Sequence, residues 1–242
     1  MIACLRRAPR WTAYDVVLWG STGFTGRFVA KYLAAVTHTR LPKLRWALVG
    51  RDQARLDALA AELVSGGGSP PPVLIASSTS QAQVDSVVSQ AKVLISTAGP
   101  FASHGTPVVE ACVRLGTDYV DINGEVGWHK TMIERYDAAA RKKGVLLVPS
   151  AGFDSIPSDL GAHWMARRIE REFGAPARRV TSYVALAGGF SGGTIASGIM
   201  SEETHGAALD PFLLGGRRAG DTRAEDADMS EAVFDGSVGS WT

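Results

Sequence analysis

Six short apolar runs mark the first 150 residues, and a stretch of helical period follows most of them. The runs are Asp15-Val16-Val17-Leu18-Trp19, Trp46-Ala47-Leu48-Val49, Val73-Leu74-Ile75-Ala76, Val93-Leu94-Ile95-Ser96, Asp118-Tyr119-Val120-Asp121 and Val145-Leu146-Leu147-Val148. They are continuous rather than alternating, the pattern of strands covered on both faces as in a parallel sheet. Helices are predicted over 24–36, 53–64, 80–90, 106–115 and 127–142. Gly116 and Gly144 each fall just past one of them, where a left-handed C-cap is wanted. Strand alternating with helix in this way predicts an α/β fold, a doubly wound parallel sheet.

The pattern then changes. Ser155 to Phe173 reads as one more helix, with Ile156, Leu160, Trp164, Ile169 and Phe173 near one face and Gly174 at its end. Ala175-Pro176 marks a boundary, Val180 to Leu186 reads as a strand, and a helix is expected from Thr194. After Gly206 the chain is rich in Gly, Arg and Asp, with poor periodicity to Thr242. The expected organisation is a flexible arm at 1–13, a nucleotide-binding domain at 14–174, and at 175–242 the start of a second, mixed α/β domain for substrate or dimerisation, with a loosely ordered tail.

Composition removes several classes of function. The 242 residues carry 25 Lys+Arg against 24 Asp+Glu, so no global field would collect nucleic acid. The two cysteines, Cys4 and Cys112, form no spaced pair, which suits a reducing, cytoplasmic setting. His38, His104, His129, His163 and His205 are scattered without metal spacing, so no metal site is expected. Arg6, Arg7 and Arg10 precede the first acid, Asp15; they read as a basic arm and lack the Ser-rich length of a presequence. Val180 to Ser201 is uncharged, yet its glycines, serines and threonines would insert poorly into a bilayer, so no transmembrane segment is expected.

Gly20-Ser21-Thr22-Gly23-Phe24-Thr25-Gly26 directly follows the first strand and opens the first helix. A diphosphate must approach the backbone closely there, which a residue without Cβ permits, and the helix N-terminus supplies free N–H groups. The strand–turn–helix context separates this triplet from a chance one and predicts a Rossmann dinucleotide site. Arg51 stands at the end of the second strand. An Arg there accommodates the 2′-phosphate of NADP, whereas NAD calls for an acid, so NADP is favoured over NAD. Asp52 reads as the N-cap of the following helix. Thr97, Ala98, Gly99 and Pro100 follow the fourth strand, where small residues let ribose and nicotinamide lie against backbone.

Three carboxylates are candidates for proton exchange: Asp121 and Glu125 past the fifth strand, with Asn123 between them, and Asp154 past the sixth, beside Phe153. Partial burial there would raise a carboxyl pKa. The structural readings stand beside these: Asp154 as a helix cap, and Asp121 as an acceptor for loop N–H groups. His104 could donate to a substrate oxygen or stand on an exposed loop. Phe24 and Phe101 flank the cofactor path, with core packing as the alternative for Phe24, and Trp46 and Trp164 read as core or domain-contact residues. No Tyr is followed four residues on by Lys, and there is neither a Gly-x-Ser-x-Gly elbow nor His-Glu-x-x-His.

Five stretches occur in order: Leu18-Trp-Gly-Ser-Thr-Gly-Phe-Thr-Gly26, Leu48-Val-Gly-Arg-Asp52, Gly99-Pro-Phe101 with His104-Gly105, Tyr119-Val-Asp-Ile-Asn-Gly-Glu125, and Gly152-Phe-Asp-Ser-Ile-Pro-Ser-Asp-Leu-Gly161. Together they resemble the saccharopine dehydrogenase-like oxidoreductases, which include the mycobacterial trans-acting enoyl reductases, over about Tyr14 to Met200. The resemblance implies a Rossmann domain, an appended mixed domain that is mostly absent here, and NADPH-dependent reduction of an enoyl or carbonyl group on a lipid-like substrate. Contact with a membrane or lipid-droplet surface and a homodimer through the second domain are further expectations. A non-catalytic NADP-binding protein is the alternative. Ser77-Ser78 departs from the pattern, since an Asp is expected on the adenine side; the hydroxyl of Ser78 could serve there.

Overall fold

In the computed structural model, residues 11–64, 69–177, 180–184, 188–189, 191–205, 214, 234–235 and 240–241 are described. The apolar runs become β1 (Tyr14–Trp19), β2 (Trp46–Gly50), β3 (Val73–Ile75), β4 (Ala91–Ser96), β5 (Asp118–Asp121) and β6 (Leu147–Val148). They pair in the order β3-β2-β1-β4-β5-β6, every pair parallel. Leu18 of β1 stands between Leu48 of β2 and Ile95 of β4.

The strands β1 to β4 feed two cores because successive side chains point to opposite faces. Leu18 and Leu48 pack with Ala30 and Leu33 of α1 (Phe24–Thr39) and with Leu56 and Leu59 of α2 (Gln53–Leu63). Val17, Val49 and Leu94 pack on the other face with α3 (Gln81–Val88), α5 (Thr106–Leu115) and α6 (Val126–Lys143). Full burial of aliphatic side chains contributes about 1.5–3 kcal/mol each, so these layers supply most of the stabilisation. Trp46 is buried with the first layer, as expected. Gly116 and Gly144 are the left-handed C-caps of α5 and α6.

Two boundaries move for visible reasons. The first helix continues to Thr39, past the predicted 36, with the hydroxyls of Thr37 and Thr39 bonded back to the Ala34 and Ala35 carbonyls of its last turns. The sixth run pairs only over Leu147–Val148. Val145 instead donates to Ala140 O as α6 ends, and Leu146 donates to the Asp118 carboxylate.

Beyond the sheet lie α7 (Ile156–Phe173) and α8 (Gly192–His205). No residue of α7 is buried, and Trp164 is 54% exposed, so the expected core role of Trp164 is not realised. The strand expected at Val180–Leu186 is absent over 180–184, and 185–187 lie outside the described residues. Apolar propensity alone does not hold a strand without a neighbour to pair with. The last helix starts at Gly192, two residues before the predicted Thr194. A short antiparallel pair joins β7 (Phe234–Asp235) to β8 (Ser240–Trp241). The basic arm over 1–10 and most of the tail after Gly206 lie outside the described residues.

Candidate nucleotide site and crevice

The turn after β1 is built around Gly20, at φ +82, in the left-handed region. A Cβ there would stand 2.9 Å from Ala98 Cβ and 3.0 Å from Ala98 N, so glycine lets the β1 and β4 turns touch. A Cβ on Gly26 would collide with the Gly20 carbonyl. Ser21 fastens the turn from inside: its buried hydroxyl lies 2.6 Å from Leu18 O and accepts the Val49 N–H at 2.9 Å. Its own N–H is given to Val49 O. Among the described residues no acceptor meets the N–H groups of Thr22, Phe24, Thr25 and Gly26. A tight turn with glycines at its closest approaches and open N–H groups at a helix N-terminus fits a dinucleotide diphosphate.

Arg51 is exposed just past β2. Asp52 caps α2, accepting the Arg55 N–H at 3.0 Å, as its position after the strand predicted. Arg55 itself was not foreseen: its guanidinium donates to Thr22 O at 3.2 Å, placing a second cation against the glycine turn. Residue spacing gave no cue, because Arg55 reads as one more polar position of an amphipathic helix. Arg27, also nearby, is paired with Glu62. Ser78 is half-buried beyond the end of β3. Thr97 ties the β4 turn to β1, its hydroxyl lying 3.0 Å from Trp19 O. Gly99 and Pro100 lead into α4 (Phe101–His104), a short helix missing from the sequence prediction. His104 is half-buried on α4, not on an exposed loop.

A crevice of about 620 Å³ opens over these turns. Its lining comes from Thr25, Thr97, Gly99 and Phe101, from Ile122, Gly124, Glu125, Phe153 and Asp154, and from Gly188, Gly189, Ser191, Gly193, Thr194, Ser197 and Gly198. The glycine-rich residues between the expected strand and helix thus line the crevice. Phe101 is buried against Trp128 at 5.7 Å. Phe24 is exposed, edge-on to Phe28, so its alternative of core packing is not realised.

The three carboxylates sit in different environments. Asp121 is fully buried: Oδ1 accepts from the Asn123 N–H, the Asn123 amide and the Ser150 N–H, and Oδ2 accepts from the Tyr119 hydroxyl at 2.8 Å. This realises the reading of Asp121 as an acceptor for loop N–H groups. Burial and the neighbouring Asp121 charge push the Tyr119 hydroxyl well above its ordinary pKa, so it stays a donor. Burial lowers the pKa of His129, whose ring faces Ser150, with Asp121 opposing. Glu125, also buried, accepts the N–H groups of Phe101 and Ala102, each at 2.7 Å, and the Ser197 hydroxyl at 2.7 Å. Asp154 is exposed in the crevice and receives no hydrogen bond from the described residues. The N-cap of α7 is Ser155, so Asp154 does not take the capping role. No group of His, Cys, Asp and Glu suited to a metal occurs among the described residues, and none of their helices is long and apolar enough to cross a membrane.

A parallel sheet in this order, with a glycine turn after its first strand and a crevice where the order reverses, defines a Rossmann-type nucleotide-binding domain. The chain belongs to the family of the saccharopine dehydrogenase NADP binding domain, whose model matches residues 16–148. A Mycobacterium tuberculosis protein named as a candidate trans-acting enoyl reductase is 37% identical over 200 residues, covering 82% of this chain and 46% of that one. A Caenorhabditis elegans protein named lipid droplet localized protein is 34% identical over 182 residues, 74% of this chain and 41% of that one. The trans-acting enoyl reductase of Mycobacterium leprae is 34% identical over 162 residues, 67% and 38% of the two chains. The chain thus spans less than half the length of these relatives.

Proposed function

We propose that this chain binds NADPH and forms the cofactor-holding part of a reductase acting on an enoyl or carbonyl group of a lipid-like substrate. The observation that carries the reading is the cradle of open N–H groups at Thr22, Phe24, Thr25 and Gly26, set against the crevice. Gly20 and Gly26 admit the diphosphate, and Arg51, with Arg55 beside it, meets the 2′-phosphate. Thr97, Ala98, Gly99 and Pro100 line the nicotinamide end. Bound there, the dinucleotide would supply a hydride.

The residues of the chain would order and protonate the acceptor. Asp154 is the proposed proton-exchange group of the three carboxylates, since it faces the crevice with oxygens that accept no hydrogen bond from the described residues. It is exposed, however, and lacks the partial burial expected of it. Asp121 and Glu125 act in positioning, because the oxygens of each are already taken up by several hydrogen-bond donors. The lipid-like acceptor and work at a lipid surface take support from the names of the mycobacterial and nematode relatives. The second reading is a cofactor-binding unit without turnover, favoured by the engagement of both buried carboxylates, Asp121 and Glu125, with hydrogen-bond donors of the fold.

Calorimetric titration with NADPH and NADH tests the reading. NADPH is expected to bind more tightly than NADH, and Arg51→Ala to weaken NADPH about ten-fold, the scale of one charge-assisted contact, without affecting NADH. Absence of heat with either nucleotide from a folded chain would overturn it.

A further inference from the structure

Glu125 lies where three separately built parts of the crevice meet. It precedes α6, with its side chain 4% exposed, and both carboxylate oxygens are engaged. Oε1 accepts the Phe101 N–H and the Ser197 hydroxyl, and Oε2 accepts the Ala102 N–H, all at 2.7 Å. The first turn of α4 and the helix α8, both of which line the crevice, are therefore tied to one buried group. Ser197 also abuts the cofactor-side turn: a Cβ on Gly99 would stand 3.5 Å from its Oγ. The other wall-forming positions of α8 offer little side chain, and no Cβ on Gly198 would meet anything within 4 Å. Among the described side chains of α8, the hydroxyl of Ser197 is the one that bonds to this buried carboxylate.

We propose that Glu125 is a positioning residue and Ser197 its latch, together setting the width of the crevice at the nicotinamide end. An ionised carboxylate suits this work, having acceptor capacity for all three donors, and such charge-assisted bonds are roughly twice as strong as neutral ones. A glutamine would keep one acceptor oxygen and turn an N–H₂ toward the remaining donors. The inference rests on the NADPH reading for the identity of the crevice's occupant, but not for the existence of the tie.

Hydrogen exchange on the intact chain, with and without nucleotide, separates the two. In the absence of nucleotide, Ser197→Ala is expected to speed exchange of the α8 amides about ten-fold, the loss of one hydrogen bond to a charged group. The amides of 101–105 should be unchanged. Ser197→Thr, which keeps the hydroxyl, should restore protection, whereas Glu125→Gln should loosen both α8 and α4. In titrations, Ser197→Ala should weaken NADPH several-fold and leave 2′,5′-ADP, which lacks the nicotinamide end, at wild-type affinity. α8 exchange within two-fold of wild type in Ser197→Ala would overturn the latch. Equal weakening of both nucleotides would overturn the positioning role. A wild-type chain that binds neither nucleotide would instead remove the NADPH reading, leaving the latch to be decided by the exchange rates.

Discussion

The apolar faces of the sheet and of α7 meet opposite fates. Val17 and Leu18 of β1 have no exposed surface, while Leu160 and Phe173 of α7 are 53% and 75% exposed. Strands of a parallel sheet supply one another's neighbours, and the crossover helices close both faces. The α7 stripe has no such partner among the described residues and is held by local contacts: Arg168 pairs with Glu172 and lies over the Trp164 ring. Such contacts within a helix contribute only a few tenths of a kcal/mol each. Periodicity thus reports that a face suits burial; it does not report what buries it.

Truncation is the strongest way to break this comparison. Leu48→Ala should destabilise the chain by about 2–5 kcal/mol, through lost transfer energy and a cavity between β1, β2 and the first two helices. Leu160→Ala should change stability by no more than ~0.5 kcal/mol, as an exposed substitution. Urea denaturation of the two variants measures both. Equal losses would mean that α7 is covered in solution and that the contrast does not describe the working molecule.

Legibility in the sequence follows the same division. The central strands, the Gly20–Gly26 turn, the cap at Asp52 and the loop-binding carboxylate of Asp121 were readable, because each depends on neighbours within a few residues or on cover on both faces, while β6, half-exposed, keeps only two residues of its run. The acceptors of the N–H groups at Phe101 and Ala102, the approach of Arg55 to Thr22 and the seat of Ser197 on Glu125 were not. They join residues 24, 33 and 72 positions apart, and none of these side chains differs in type from an ordinary surface or cap residue. The glycine pairs at 188–189 and 192–193 are the signal that could have drawn the eye, since bare backbone in two successive pairs suits a wall facing a ligand.

A pair of glycine substitutions sharpens the comparison at smaller cost. Gly20→Ala places a side chain at positive φ and against Ala98, an expected loss of about 2 kcal/mol, together with loss of NADPH binding. Gly161 lies inside α7 with open space around it, so Gly161→Ala should stabilise by about 0.5–1 kcal/mol. Thermal melts should therefore move in opposite directions. A Gly161→Ala melt that falls would show a neighbour packed close to α7.

The smallest effect concerns charge. Asp15 at the edge of β1 meets Arg45 at 3.1 Å and Lys92 at 2.6 Å, cations preceding β2 and on β4, so this cluster ties strands rather than one helix. Hydrogen bonds from Arg45 first and Lys92 second hold its carboxyl well below the ordinary carboxylate range. With the folded pKa depressed, its contribution is present above the unfolded value of about 3.9 and is lost as pH falls toward the folded one. Because the site is partly solvated, Asp15→Asn should cost only about 1 kcal/mol at pH 7, and the difference from wild type should shrink steadily below pH ~4. Glu172→Gln, which breaks an exposed pair within α7, should cost less at every pH. Denaturation midpoints across pH 2–7 give both curves. A constant Asp15→Asn deficit down to pH 2 would mean that the carboxyl acts through packing, and that the strand-joining cluster is electrostatically no different from the pairs along α7.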